Sequence, residues 1–139
     1  MPPEENKAIL SRAVEAWNVP EQRAQWFDIH DSSVVAYGLG PEPVGHQGVV
    51  EFYTGLWSAF RDAHVTVDEL VAEGEAVVVR FTLTGTQEGD FLGVPASGSR
   101  VEITGHSTYH FRDGKVVERW TNADLLGILV QLGAVPAPG

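Results

Sequence analysis

The 139-residue sequence predicts an α+β fold, with N-terminal helices packed on a curved, mostly antiparallel sheet around an apolar pocket. Three observations predict it. Apolar side chains recur at helical spacing up to Phe60, the pattern turns to strand alternation from His64 onward, and Asp113-Gly114 punctuates that second half with a hairpin turn.

Ile9, Leu10, Ala13, Val14 and Trp17 form one helix stripe over residues 5–17, which Pro20 interrupts. Residues 21–28, carrying Trp26 and Phe27, read as a second short helix, and Ser33–Tyr37 as a short strand. Four glycines and two prolines make residues 38–48 a loop. A third helix follows, with Val49, Phe52, Tyr53, Leu56, Trp57 and Phe60 on its apolar side. Strands are expected over 65–71, 77–86, 100–111 and 116–121, with turns at Glu73-Gly74-Glu75 and Asp113-Gly114. Residues 124–132 close the chain as a short helix or turn stopped by Gly133. Gly85 and Gly105 let the long strands bend, so the sheet curls, and helices closing a curled sheet leave a cavity of the kind small molecules occupy. The expected organisation is one domain over 1–139, with flexible ends at 1–3 and 134–139.

A 43% apolar content is enough for a core, and the absence of cysteine excludes disulfides, thiolate metal sites and cysteine nucleophiles. A formal net charge of −10 opposes binding to nucleic acid phosphates. With no long apolar run and no signal-peptide pattern at the N-terminus, no membrane partner is expected and a cytoplasmic location is. Nucleophile elbow, phosphate-binding loop and dinucleotide fingerprint are all missing, so no cofactor is expected.

Several motifs run in order through the chain. They are Gly45-His46-Gln47-Gly48, Ala72-Glu73-Gly74-Glu75, Arg80, and Thr84-Gly85-Thr86-Gln87 leading into Gly89-Asp90-Phe91-Leu92-Gly93-Val94-Pro95. Asp113-Gly114-Lys115-Val116-Val117-Glu118-Arg119-Trp120, Asp124 and Gln131-Leu132-Gly133 complete the set. In order and spacing the chain resembles the SnoaL-like polyketide cyclases of the nuclear transport factor 2-like superfamily. That resemblance implies a cone-shaped α+β domain, a homodimer formed through the outer sheet face, and an aspartate after the hairpin strand acting as general acid/base with a histidine on the preceding strand. Carried onto this sequence, the pair is Asp124 and His110. The superfamily holds cyclases, isomerases, hydroxylases, epoxide hydrolases and plain binders, so it fixes architecture better than chemistry.

The residues carry an independent argument. A carboxylate inside an apolar pocket has a raised pKa and becomes a better base near neutral pH; the plainer role for Asp124 is the first turn of the last helix. Strand alternation puts His106, Thr108 and His110 on one face and Ser107, Tyr109 and Phe111 on the other. Glu118, Trp120 and Asn122 likewise share a face. His110, Trp120 and Asp124 therefore cluster in the pocket if the His106 face is the concave one; otherwise the histidines lie outside. His106 and His110 are not a metal pair, because four strand residues span about 13 Å, against zinc–nitrogen bonds of about 2 Å.

Arg80 either orients a substrate carbonyl or pairs with Glu75 or Glu102. Tyr37 is a pocket hydrogen-bond donor or a half-buried core residue, His46 belongs to the start of the third helix, and Trp17, Trp26 and Trp57 are core residues able to line the pocket. Limonene-type epoxide hydrolases of this fold use an arginine and an aspartate two apart on a strand; the matching stretch here is Arg80-Phe81-Thr82, and threonine cannot replace that base.

The expected activity is therefore cofactor-independent cyclisation or isomerisation of an enolisable, polyketide-like carbonyl compound, with Asp124 and His110 catalytic. Trp120, Asn122, Tyr37, His106, Arg80, Trp57 and Trp17 are the expected substrate-binding residues for a small apolar or aromatic molecule. The alternatives are a non-catalytic binding protein of the same fold and a cofactor-free hydroxylase or epoxide-opening cyclase.

Overall fold

The computed structural model describes residues 2–138; Met1 and Gly139, which belong to the expected flexible ends, lie outside the described residues. Helix α1 spans Pro3–Trp17, with proline in its first turn and Glu4 and Glu5 beside the positive end of the helix dipole. It buries Leu10, Ala13 and Trp17, members of the stripe legible in the sequence. The segment expected as a second helix is a 3₁₀ run, Pro20–Ile29. Its two buried residues, Trp26 and Ile29, are three apart and match a three-residue turn.

Strand β1 (His30–Tyr37) begins three residues earlier than the Ser33 start read from the sequence, and helix α2 spans His46–Ala59. Strands β2 (His64–Glu73), β3 (Ala76–Thr86), β4 (Arg100–Arg112) and β5 (Lys115–Ala123) follow, then helix α3 (Leu125–Gln131). The sheet order is β1-β5-β4-β3-β2, antiparallel throughout except where β1 runs parallel to β5. The β4–β5 turn uses Asp113 and Gly114 at φ 51° and 79°, the left-handed pair expected of an Asp-Gly hairpin.

Alternation along β4 decides which face is inside. Val101, Ile103, Ser107, Tyr109 and Phe111 are buried, while Glu102, Thr104, His106 and His110 are exposed. The same inner face receives Val77, Val79 and Leu83 from β3. Register shifts in β1, β2 and β5 mark bulges, which bend a sheet. Gly105 permits the closest approach on the inner face: a Cβ there would stand 2.5 Å from the Phe81 ring and 2.9 Å from the Asn122 carbonyl oxygen.

Three side-chain anchors hold the helices over this face. Asn18, after α1, donates to and accepts from the Val65 backbone at 2.8 Å each. Arg23 donates to the carbonyls of Trp17 and Ala63 at 3.1 and 3.0 Å, with its guanidinium over the Trp17 and Trp57 rings. Gln131 pairs with both backbone groups of Glu102 and so docks α3 on β4. No helix among the described residues is long and apolar enough to cross a membrane.

Candidate active site

Between the helices and the inner sheet face lies an apolar cavity of about 110 Å³. Leu10, Trp17, Leu56, Val79 and Ile103 are among its walls. Leu39, Phe91 and Leu125 also line it, and Leu125 is 51% exposed, so this side is the mouth. Phe91 is held there by fully buried Gln87, whose amide donates to Val94 and accepts from Ser97, bracing the loop between β3 and β4.

The wall is almost wholly apolar, and its few polar groups gather at the inner end. Trp26, Tyr53, Ser107, Tyr109 and Thr121 line it, and behind them sits Arg119, 0% exposed. Register explains the grouping: Ser107 faces Thr121 and Tyr109 faces Arg119 across the β4–β5 ladder, all on the inner side. Arg119 Nη1 donates to His30 Nε2 at 3.1 Å, and Nη2 donates to Tyr53 Oη at 2.5 Å and Thr121 Oγ1 at 3.0 Å. Its guanidinium carbon lies 4.9, 5.3 and 5.8 Å from the Tyr109, Tyr53 and Trp26 ring centroids, within cation–π range. No carboxylate among the described residues pairs with it.

A guanidinium stays charged in proteins, so this is a buried positive charge balanced only by dipoles and π-faces. Burial opposes the Arg119 charge, but Tyr109 and Tyr53 more than offset it and its pKa is raised. Burial, reinforced by the Arg119 charge, pushes His30 down to about 3, so the imidazole is neutral. Because arginine only donates, Nε2 of His30 must accept and Nδ1 carries the proton. Burial pushes the Tyr53 hydroxyl up to about 12, and it stays protonated.

The residues singled out in the sequence are distributed differently. His110 and Trp120 do meet, with ring centroids 4.8 Å apart, and Tyr37 stacks on Trp120 at 5.5 Å and 8°. This cluster lies on the outer sheet face, where His106 and Asn122 are also exposed, so the condition that the His106 face be concave is not met. Arg80 is on the outer face as well, near Asp68 at 3.9 Å and Glu69 at 3.5 Å. Trp17 lines the cavity, whereas Trp57 backs it, 5.6 Å from Trp17 and 5.9 Å from Tyr53. His46 opens α2.

Asp124 is exposed and N-caps α3, its Oδ1 accepting from the Gly127 N–H at 2.8 Å. Its neighbours Ala123 and Leu125 line the cavity near the mouth. Among the described residues no carboxylate lines the cavity itself, and no cluster of histidine and carboxylate side chains could hold a metal ion.

Sequence reasoning passed over Arg119, His30, Tyr53, Ser107 and Thr121 as site residues. The signal was present in β4, where Val101, Ile103, Tyr109 and Phe111 make the odd-numbered face apolar. Projected through the Asp113-Gly114 hairpin, that face brings Arg119 and Thr121 inside.

An α+β layer with an apolar chamber ending on buried polar groups defines a small-molecule site. The chain belongs to the SnoaL-like polyketide cyclase family, which it matches over residues 7–132. It is 29% identical to aklanonic acid methyl ester cyclase DnrD of Streptomyces peucetius, over 90% of this chain and 88% of that one. Among solved structures it is similar to AclR, a candidate hydroxylase from Streptomyces galilaeus (32% identity, TM-score 0.88, covering 97% of this chain and 100% of that one). It is also similar to IdmH, a candidate polyketide cyclase from Streptomyces antibioticus (28% identity, TM-score 0.76, covering 96% and 99%).

Proposed function

We propose that this protein is a cofactor-independent cyclase or isomerase that closes a ring, by aldol-type acid–base chemistry, in an enolisable polyketide-like compound bound in the cavity. The observation that carries this reading is the apolar chamber whose inner end gathers hydroxyls in front of the buried Arg119. Family membership and the similarity to DnrD support it.

Asp124, as the resemblance implies, takes the acidic proton α to a carbonyl; its cap uses Oδ1 and leaves Oδ2 for the proton. A hydrogen between two carbonyls is acidic enough for a carboxylate to remove, because the enolate spreads its charge over both. The enolate carbon attacks a second carbonyl, forming one carbon–carbon bond, and the alkoxide recovers the proton, so the product is an isomer of the substrate. Hydrogen-bond donors fixed where oxygen charge develops lower the barrier without reorganising, and the apolar walls exclude water and favour the folded substrate.

The test is incubation with aklanonic acid methyl ester, the compound in the name of the relative, and related aromatic β-dicarbonyl compounds. An isobaric product by liquid chromatography and mass spectrometry is expected, with loss of at least a hundredfold in turnover for Asp124→Asn. The absence of both an isobaric product and α-deuterium exchange in heavy water across that panel would remove the reading.

The likeness to AclR favours one other reading, a cofactor-free hydroxylase on a reduced aromatic polyketide. In that case molecular oxygen is consumed, one atom entering the product and the other leaving as water with two hydrogens from the reduced substrate, so the same mass measurement separates the two.

A further inference from the structure

We propose that the inner end of the cavity is a binding site for an anionic oxygen, an enolate or phenolate, held by Tyr53 and the Ser107–Thr121 hydroxyl pair, with Arg119 as the positioning residue that aims their protons at the ligand. The inference deepens the reading above and rests on the cavity being the ligand site, not on the ring-closing step.

Proton accounting leads to it. Tyr53 Oη accepts from Arg119 Nη2, so its own proton points elsewhere, and no hydrogen bond to another described residue takes it up. Tyr53 lines the cavity, which leaves the cavity to receive that proton. Ser107 Oγ and Thr121 Oγ1 are 2.9 Å apart, and Thr121 also accepts from Arg119. Two hydroxyl protons serve one bond between the pair, so one proton remains, and both residues line the cavity. The site thus presents two donors and no acceptor requirement, the pattern that suits an oxyanion better than a carbonyl or hydroxyl.

Charge points the same way. Both donors are polarised by one guanidinium that has no carboxylate partner among the described residues. The tyrosines keep the guanidinium charged but bring no counter-ion, and an anionic ligand is the missing partner. His30 holds the third edge of the fork as a neutral acceptor, so it neither cancels nor adds to that charge. The formal net charge of −10 and the apolar walls both disfavour an anion, so any stabilisation of one in the cavity must come from this cluster.

The probe is 4-nitrophenol, whose phenolate absorbs at longer wavelength than the phenol. It is titrated with the intact protein at a pH about one unit below the free probe's own pKa. The bound probe is expected to be at least about half phenolate, against about a tenth for the free probe, which is a shift in its ionisation constant of at least about tenfold. Arg119→Met should abolish the shift, and Arg119→Lys, which keeps the charge but not the fork, should restore part of it. Tyr53→Phe and Ser107→Ala, small changes that keep the packing, should each reduce the shift several-fold and so carry the test if Arg119→Met fails to fold. A probe that stays a neutral phenol when bound, fails to bind, or ionises equally in Tyr53→Phe and Ser107→Ala overturns the inference. Failure of the ring-closing reading leaves this expectation intact, because the probe undergoes no reaction.

Discussion

Acidification from pH 7 to pH 5 perturbs one buried group selectively. His30 is 4% exposed and its pKa is pushed from 6.5 to about 3, by burial first and by the Arg119 charge second. Between those values the unfolded chain binds a proton on this residue and the folded chain does not. Stability therefore rises with pH through this window and is lost as pH falls below about 6.5. With the two pKa values, the loss from this single group between pH 7 and pH 5 is about 2 kcal/mol. Asp31 and Asp62 have lowered pKa values, Asp31 through Ser33 and Asp62 through the Thr86 backbone. Such carboxylates lose their contribution only as pH falls through their folded values, below this window. Urea unfolding of the wild type and of His30→Gln, whose amide oxygen can still accept from Arg119, measures the difference directly. The wild type should lose about 2 kcal/mol more than the variant between the two pH values. Equal losses, or a wild-type loss under about 0.5 kcal/mol, would refute the assignment of His30 as a neutral buried acceptor.

Two further outcomes follow from local geometry. Gly105→Ala drives a methyl into the Phe81 ring and the Asn122 carbonyl, and should cost about 1–3 kcal/mol, read as a lower melting temperature; an unchanged melt would contradict the close approach. Asp124→Ala removes the α3 cap and should cost about 1 kcal/mol in unfolding experiments, whereas Asp124→Asn keeps the cap and should cost little. The pair separates the structural task of this residue from any task in proton transfer.

Most of the architecture was legible because it rests on period and punctuation. The stripe of α1, the β-branched run of β3 and the Asp113-Gly114 turn each state their element locally, and the structure carries all three. The 3₁₀ run was read as a helix because periodicity in so short a segment does not separate three residues per turn from 3.6. The site was legible only in part, for a different reason. Alternation sorts β5 into two sets, Glu118, Trp120 and Asn122 against Arg119 and Thr121, but does not say which set faces inward. A tryptophan draws the eye as the buried member, yet Trp120 lies outside under Tyr37 and His110 while the arginine is buried completely. A charge in that position breaks the hydrophobic pattern, and such breaks belong to functional sites more than to scaffolds.

The claim on which the account turns is that ligand chemistry belongs to the inner cavity, with the Arg119 cluster at its end. Diffraction from crystals soaked with an enolisable aromatic 1,3-dicarbonyl compound tests it most directly. The account predicts density in the cavity with one ligand oxygen within hydrogen-bonding distance of the Tyr53 and Ser107–Thr121 hydroxyls. An empty cavity, with the ligand instead on the outer face against Tyr37, His110 and Trp120, would contradict it.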